Sequence, residues 1–192
     1  MNNDDYVRNI LKEYDTVLFA VENDFLKIKN SLLLQNPSLD SKSKPWSVAQ
    51  NIHHLMLTNE FYIDQFILLT KKNTDPTLKT YQNSKFWSWI IAFLRGEKST
   101  KIALPAPSIV QPFKNDADIN PVTLIKNYIA QLELLKTQYL FFTKLDLRKH
   151  KVKLPFGLFF YVPLGAAMEL VLAHNTRHIN QIYNTLKYLN AV

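Results

Sequence analysis

The amino-acid sequence predicts an all-α protein, a four-helix bundle with one long crossover connection. Four segments place apolar residues three and four positions apart, which is the spacing of an amphipathic helix. Only three glycines occur in 192 residues, which argues against a β-sandwich with many tight turns and against glycine-rich phosphate loops. About 50 residues separate the second and third helical segments. Because a short loop joins only antiparallel neighbours, a link this long allows two neighbouring helices to run parallel.

The first two predicted helices form the N-terminal third of the chain. The first covers residues 4–34 as one long amphipathic helix, and Asn36-Pro37-Ser38 ends it. The second begins near Trp46 or Ser47 and runs to about Thr70. Pro45 suits the entrance of this helix, where its missing N–H has no partner to lose.

The connection between residues 71 and 120 is rich in proline and is predicted to be largely irregular, with Pro76 and Pro105 among its breaks. It contains one apolar island within residues 84–95, Phe86 to Leu94, which predicts a short helix. We favour a helix that caps the bundle. A lid over a substrate pocket and a membrane-surface anchor are the alternatives, and only Lys85 and Arg95 bracket the island with positive charge.

The third and fourth long helices are predicted at residues 121–146 and from near Pro163 to about Leu189. Pro121 suits the first turn of the third helix. A loop is expected between them around residues 154–157, Leu-Pro-Phe-Gly.

The length and composition predict one domain spanning residues 1–192, with 47% hydrophobic residues available for its core. The absence of cysteine excludes disulfides, thiolate metal sites and cysteine nucleophiles. The N-terminus is polar, and no apolar run approaches the roughly 20 residues of a membrane span. We therefore expect a cytoplasmic protein that does not bind membranes.

The formal net charge of +7 permits binding to nucleic acid, but its distribution does not favour it. The basic residues are scattered, and the densest cluster, within residues 148–153, is short enough to be a solvated loop. No nucleic-acid recognition motif accompanies the charge. We expect a small-molecule substrate and no nucleic-acid partner.

The histidines carry the strongest functional signal. His174 and His178 are four residues apart on the last predicted helix, so their imidazoles lie on one side of it, one turn apart. Such a pair can offer two nitrogens to one metal ion, or can be two half-buried helix histidines. Gln181 follows on the same edge and is a candidate to orient a ligand or water.

A third imidazole is available from the second helix, where His53 and His54 lie on opposite flanks of the apolar stripe. The helical geometry does not choose between them. His150 is expected at the surface. Three imidazoles bind zinc, nickel or iron and leave coordination positions open for water or substrate.

Two motifs give the chain a resemblance to the DinB-like superfamily of metal-dependent helical-bundle proteins. The first is Trp-Ser-Val-Ala-Gln-Asn-Ile-His-His-Leu at residues 46–55, and the second is His-Asn-Thr-Arg-His-Ile-Asn-Gln-Ile at residues 174–182. The resemblance implies an up-down-down-up bundle and a divalent metal on His54, His174 and His178. It selects His54 because Leu55 follows it and because of its distance from Trp46.

The resemblance implies a metal-dependent hydrolase or a transferase that uses a low-molecular-weight thiol, and it allows a homodimer. The alternative is a non-catalytic metal-binding bundle that acts in a stress response or as an interaction module. No catalytic base stands out, and Glu60 and Glu169 are nominal candidates. Arg177 precedes the last histidine, whereas many relatives carry a basic residue after theirs, so the resemblance assigns Arg177 no role.

Overall fold

A computed structural model describes residues 1–37, 45–74, 80–96, 106–114, 119–155 and 160–190. Four long helices dominate it, accompanied by shorter helices and a two-stranded hairpin. In chain order the elements are α1 (Asn3–Asn23), a 3₁₀ turn (Phe25–Lys27), α2 (Asn30–Leu34), α3 (Val48–Thr70), α4 (Lys85–Arg95), a 3₁₀ turn (Ser108–Val110), α5 (Pro121–Phe142), β1 (Lys151–Lys153), β2 (Tyr161–Pro163) and α6 (Leu164–Tyr188).

The bundle consists of α1, α3, α5 and α6, in which α1 and α3 each pack on both α5 and α6. The Tyr6 hydroxyl near the start of α1 donates to the Gly165 carbonyl at the start of α6, which shows that these two helices run parallel. Helix α5 is antiparallel to α1, since the Asn3 amide donates to the carbonyl of Leu145, just beyond α5.

Helix α3 runs parallel to α5, because Phe66 packs on Phe142 near the C-terminal ends of both helices, with ring centroids 5.3 Å apart. The four directions are therefore up, down, down and up. This confirms the predicted all-α bundle, in which the long crossover joins two parallel neighbours.

Polar caps explain where the long helices begin. The Ser47 hydroxyl accepts from the Gln50 N–H, and the Gln50 side chain accepts in return from the Ser47 N–H, which completes a capping box for α3. The Asn120 side chain caps α5 by accepting from the Thr123 N–H, with Pro121 in the first turn. The predicted starts of these helices are confirmed.

The prediction of one helix over residues 4–34 is wrong, because the first helix ends at Asn23. Asn23 and Asp24 are weak helix formers, and the Asp24 carboxylate accepts a 2.5 Å hydrogen bond from the Tyr183 hydroxyl of α6. The break turns the following segment inward, so that Phe25 and Leu33 are fully buried. Burial of these two side chains offsets the lost helical hydrogen bonds.

Two further boundaries differ from prediction. Helix α5 ends at Phe142 rather than at residue 146, and the next residues form turns that bury Leu145 and Leu147. The expected loop before α6 contains an antiparallel hairpin in which Val152 pairs with Val162. Both valines are buried on the core face of the hairpin. Pro76, Pro105, Phe156 and Gly157, predicted in irregular segments, lie outside the described residues.

The apolar island forms the predicted short helix, α4, which packs along α6 rather than over the end of the bundle. Its Arg95 forms a 2.8 Å ion pair with Glu13 of α1. Gly96 ends the helix with φ +79°, a left-handed conformation that suits glycine. Phe86 and Trp89 face outward, with 60% and 49% of their surface exposed. None of the helices in the described ranges is long and apolar enough to cross a membrane.

A buried amide pair fixes α3 against α6 in the middle of the bundle. The side chains of Asn59 and Asn175 are both fully buried and hydrogen bond reciprocally, at 3.3 and 3.0 Å. The Tyr128 hydroxyl of α5 donates to the same Asn175 oxygen at 2.6 Å. Because buried polar groups are costly without partners, this network favours one register of α3, α5 and α6.

We predict that Asn175→Ala lowers the free energy of unfolding by about 2–4 kcal/mol, because it leaves the Asn59 amide and the Tyr128 hydroxyl buried without partners. The control Asn180→Ala removes an exposed asparagine from the same helix and is expected to change stability by less than about 0.5 kcal/mol. Urea unfolding followed by circular dichroism measures both. Equal effects of the two substitutions would show that the network does not hold the register.

Candidate metal centre

The fold brings three of the five histidines together between α3 and α6. His54 comes from α3, and His174 and His178 come from consecutive turns of α6. One nitrogen from each of the three lies within 4.8 Å of the others. The ring centroids are 4.6–5.0 Å apart. The structure thus assembles the residues that the resemblance selects.

A backbone carbonyl from the long crossover orients His54. The His54 ring is buried, and its Nδ1 lies 2.6 Å from the Val110 carbonyl oxygen. A carbonyl only accepts, so Nδ1 carries the proton and donates it. Nε2 therefore presents a lone pair towards the other two histidines, as a metal ligand requires.

His53 has a different structural role from His54. Its Nδ1 accepts from the Phe113 N–H at 3.0 Å, and its ring packs against that of Phe113. The Gln50 side chain donates to the Phe113 carbonyl at 3.1 Å. These two contacts tie the crossover to the first turns of α3 and hold Val110 over His54. His53 is therefore outside the cluster and anchors the segment that orients it.

An asparagine orients His178. The Asn51 side-chain nitrogen donates to the Ser47 carbonyl at 3.0 Å, which directs its oxygen towards His178. The His178 Nδ1 lies 2.9 Å from that oxygen and donates to it. The Nε2 lone pair of His178 is thus left for the shared site. The motif residues of α3 therefore supply a ligand and a group that orients a ligand on α6.

His174 has no such support. Its Nε2 lies 3.2 Å from the His54 Nε2. Its Nδ1 is buried and has no hydrogen-bond partner among the described residues. A buried polar atom without a partner costs about 1–3 kcal/mol, so this ring is not placed for stability alone.

Burial keeps all three imidazoles neutral. The pKa of His174 is lowered to about 3, mainly by burial and then by the neighbouring His54 and Arg177. Burial is also the main cause that lowers the pKa of His178, followed by the neighbouring His174 and His54. Burial lowers the pKa of His54, while its bond to the Val110 carbonyl opposes the shift. Neutral imidazole is the form that binds metals.

Trp46 forms an aromatic wall beside the cluster. Its ring lies 4.9 Å from that of His54 and is stacked on that of His178 at 6.0 Å, measured between centroids. Such a wall lowers the local dielectric and restricts water. The tryptophan of the first motif thus contacts ligands on both helices.

The other predicted candidates lie elsewhere. Gln181 forms no hydrogen bond to the three histidines. Glu60 is exposed, and Glu169 accepts from the Asn83 side chain on the side of α6 that faces α1 and α4. His150 is half-buried in the turn before β1, rather than at the surface. The structure therefore brings no predicted base to the cluster.

The donor set fits a divalent transition metal. His54 and His178 are held with the proton on Nδ1, which leaves the Nε2 lone pair of each free for a metal ion. The Nδ1 of His174 has no hydrogen-bond partner among the described residues. Two nitrogens bound tetrahedrally at about 2.0–2.1 Å from one zinc ion are about 3.4 Å apart, close to the 3.2 Å between His54 and His174. We see no conflict between these residues and the metal that the resemblance implies.

We predict that the metal-free protein loses stability as the pH falls below about 6.5. The unfolded chain protonates its histidines near their ordinary pKa of about 6.5, whereas the pKa of His174 in the folded state is about 3. Between these values the unfolded chain binds more protons, so the free energy of unfolding falls with pH. Urea unfolding at several pH values in a chelator measures it. A steeper slope in His174→Ala than in the wild-type protein would contradict this account.

The comparisons with known proteins support the fold. Neither the protein-family models nor the curated proteins include a match to this chain. Among solved structures, the chain is similar to YfiT from Bacillus subtilis, described as a probable metal-dependent hydrolase with an unusual four-helix bundle topology. The TM-score is 0.56 and the sequence identity is 19%, over 99% of this chain and 89% of YfiT. The chain therefore has the YfiT-type bundle fold that the DinB-like motifs predict.

Proposed function

We propose that this protein is a metal-dependent hydrolase of a small-molecule substrate, with a divalent transition metal held by His54, His174 and His178. When bound, such an ion supplies a Lewis acid that polarises a substrate carbonyl and lowers the pKa of water towards neutrality. Zinc, nickel and iron all suit three imidazoles. The likeness to YfiT, a probable metal-dependent hydrolase, supports the reaction class.

The observation that carries this proposal is the number of protein ligands. Structural zinc sites are closed by four protein ligands, whereas catalytic sites use three and keep a position for water or substrate. In the described part of the chain, three histidines converge and no carboxylate joins their group. This arrangement favours catalysis over a purely structural metal, which is the alternative expected from the sequence.

The surrounding residues would prepare the site. The Val110 carbonyl and the Asn51 side chain hold the His54 and His178 protons on Nδ1, so that neither ring must rotate or change tautomer. Trp46 limits the access of bulk water on one side. Since neither Glu60 nor Glu169 reaches the cluster, we assign no side-chain base.

Transfer of a low-molecular-weight thiol, the other reaction expected from the resemblance, would use the same three nitrogens. No described residue favours a thiol over water, so hydrolysis is the primary proposal. A homodimer and the absence of nucleic-acid binding remain predictions from the sequence.

We predict that the purified protein, reloaded with zinc, binds about one equivalent. His54→Ala, His174→Ala and His178→Ala should each reduce this strongly while leaving the helical content unchanged, because each removes one of three ligands. His150→Ala, which lies outside the cluster and does not contact it, is the matched control and should retain the metal. Elemental analysis after gel filtration measures the stoichiometry. Full zinc retention in His54→Ala would refute the ligand assignment.

The same variants test the reaction class. If the proposal holds, the zinc-loaded wild-type protein hydrolyses activated esters or amides, and His54→Ala does not. Zinc binding without hydrolysis, accompanied by transfer of small thiols, would favour the transferase. Zinc binding with neither reaction across such a screen would favour the non-catalytic bundle.

A further inference from the structure

The long crossover reaches the three histidines through one short segment, the strap, which we define as residues 106–114. A 3₁₀ turn forms its middle, in which the Val110 N–H donates to the Pro107 carbonyl at 3.0 Å. The side chain of Val110 is buried. The strap thus has a local structure of its own and packs on α3, although it belongs to a connection and not to the bundle.

Among the described residues, three hydrogen bonds join the strap to the rest of the protein, and all of them go to one stretch of α3. The Gln50 side chain donates to the Phe113 carbonyl at 3.1 Å, and the Phe113 N–H donates to His53 at 3.0 Å. The third bond is the 2.6 Å contact from the His54 Nδ1 to the Val110 carbonyl. One of the bonds that hold the strap is therefore made by a candidate metal ligand.

This arrangement couples the strap to whatever the other side of the His54 ring binds. An imidazole that binds a metal ion through Nε2 becomes a stronger hydrogen-bond donor at Nδ1, and an acceptor at Nδ1 makes Nε2 a better ligand. Loss of such an acceptor typically lowers metal affinity 10–100-fold. Because coupling between two binding events is reciprocal, the metal must strengthen the attachment of the strap by the same factor.

We propose that the strap is a metal-coupled latch. Metal binding at His54 holds the strap on α3, and the attached strap raises the affinity of the three histidines for the metal. His53 is then a positioning residue for the metal centre, which acts through Phe113 and the Val110 carbonyl. The inference rests on the proposed metal centre and adds its regulation, since a molecule that lifts the strap from α3 would also weaken metal binding.

Amide hydrogen exchange, measured by NMR with and without zinc, tests the latch without reference to activity. The Phe113 N–H reports on the strap, because it donates to His53. The Lys153 N–H is a matched internal control, because it also donates to a side chain of α3, that of Gln65, at 2.8 Å. Gln65 lies about 16 Å along the helix from His54, so this amide senses only the general stabilisation that zinc gives the fold.

We expect saturating zinc to slow the exchange of the Phe113 N–H about 10–100-fold more than that of the Lys153 N–H. The second measurement is the zinc dissociation constant, from competition with a chelating indicator. His53→Ala removes the acceptor of the Phe113 N–H and should weaken zinc binding about 10-fold. The control His150→Ala should bind zinc as tightly as the wild-type protein.

A conservative variant separates the hydrogen bond from the packing of the His53 ring against Phe113. His53→Asn loses the ring but keeps an acceptor near the position of Nδ1, so it should restore most of the zinc affinity and the slow exchange of the Phe113 N–H. An equal loss of zinc affinity in His53→Asn and His53→Ala would refute the role of this bond.

The outcomes separate the latch from the metal centre. If zinc binds but slows the two amides equally, or if His53→Ala binds zinc as tightly as the wild-type protein, the latch is wrong and the metal centre stands. If the wild-type protein binds no zinc, the metal centre is wrong and the latch is overturned with it.

Discussion

The candidate site depends on the register between α3 and α6, because the three imidazoles belong to these two helices. A shift of one residue along α6 would rotate His174 and His178 by about 100° away from His54. The reciprocal bond between the buried Asn59 and Asn175 side chains opposes such a shift, since any other register leaves amide groups without partners. Tyr128 adds α5 to the same network. These buried hydrogen bonds thus favour the observed register in addition to the packing of the apolar core.

The long crossover also contributes to the site. Through Val110 it gives His54 a proton acceptor, and through Phe113 it is tied to His53 and Gln50. The connection that lets α3 and α5 run parallel therefore also fixes the tautomer of His54 with the proton on Nδ1. The adjacent histidines of α3 have different roles, because His54 faces the cluster and His53 holds the crossover.

The sequence predicts those features that depend only on residues within one helix. The starts predicted near Trp46 or Ser47 and at residue 121 match the observed starts of α3 and α5, and the spacing of His174 and His178 predicts a shared face. The choice of His54 over His53 required the motif resemblance, because both flank the apolar stripe equally. Features that depend on distant contacts were missed. Near the end of α1, Asp24 bonds to the distant Tyr183, and the role of Val110 comes from a backbone carbonyl, which any residue carries.

We propose that three neutral imidazoles, two buried and one half-buried, are held in place to share one metal ion. Anomalous X-ray diffraction at the zinc edge, from crystals of the zinc-loaded protein, tests it most directly. We expect one strong peak about 2.0–2.1 Å from a nitrogen of each of His54, His174 and His178. Zinc bound only at other positions, with no peak between these three rings, would contradict it.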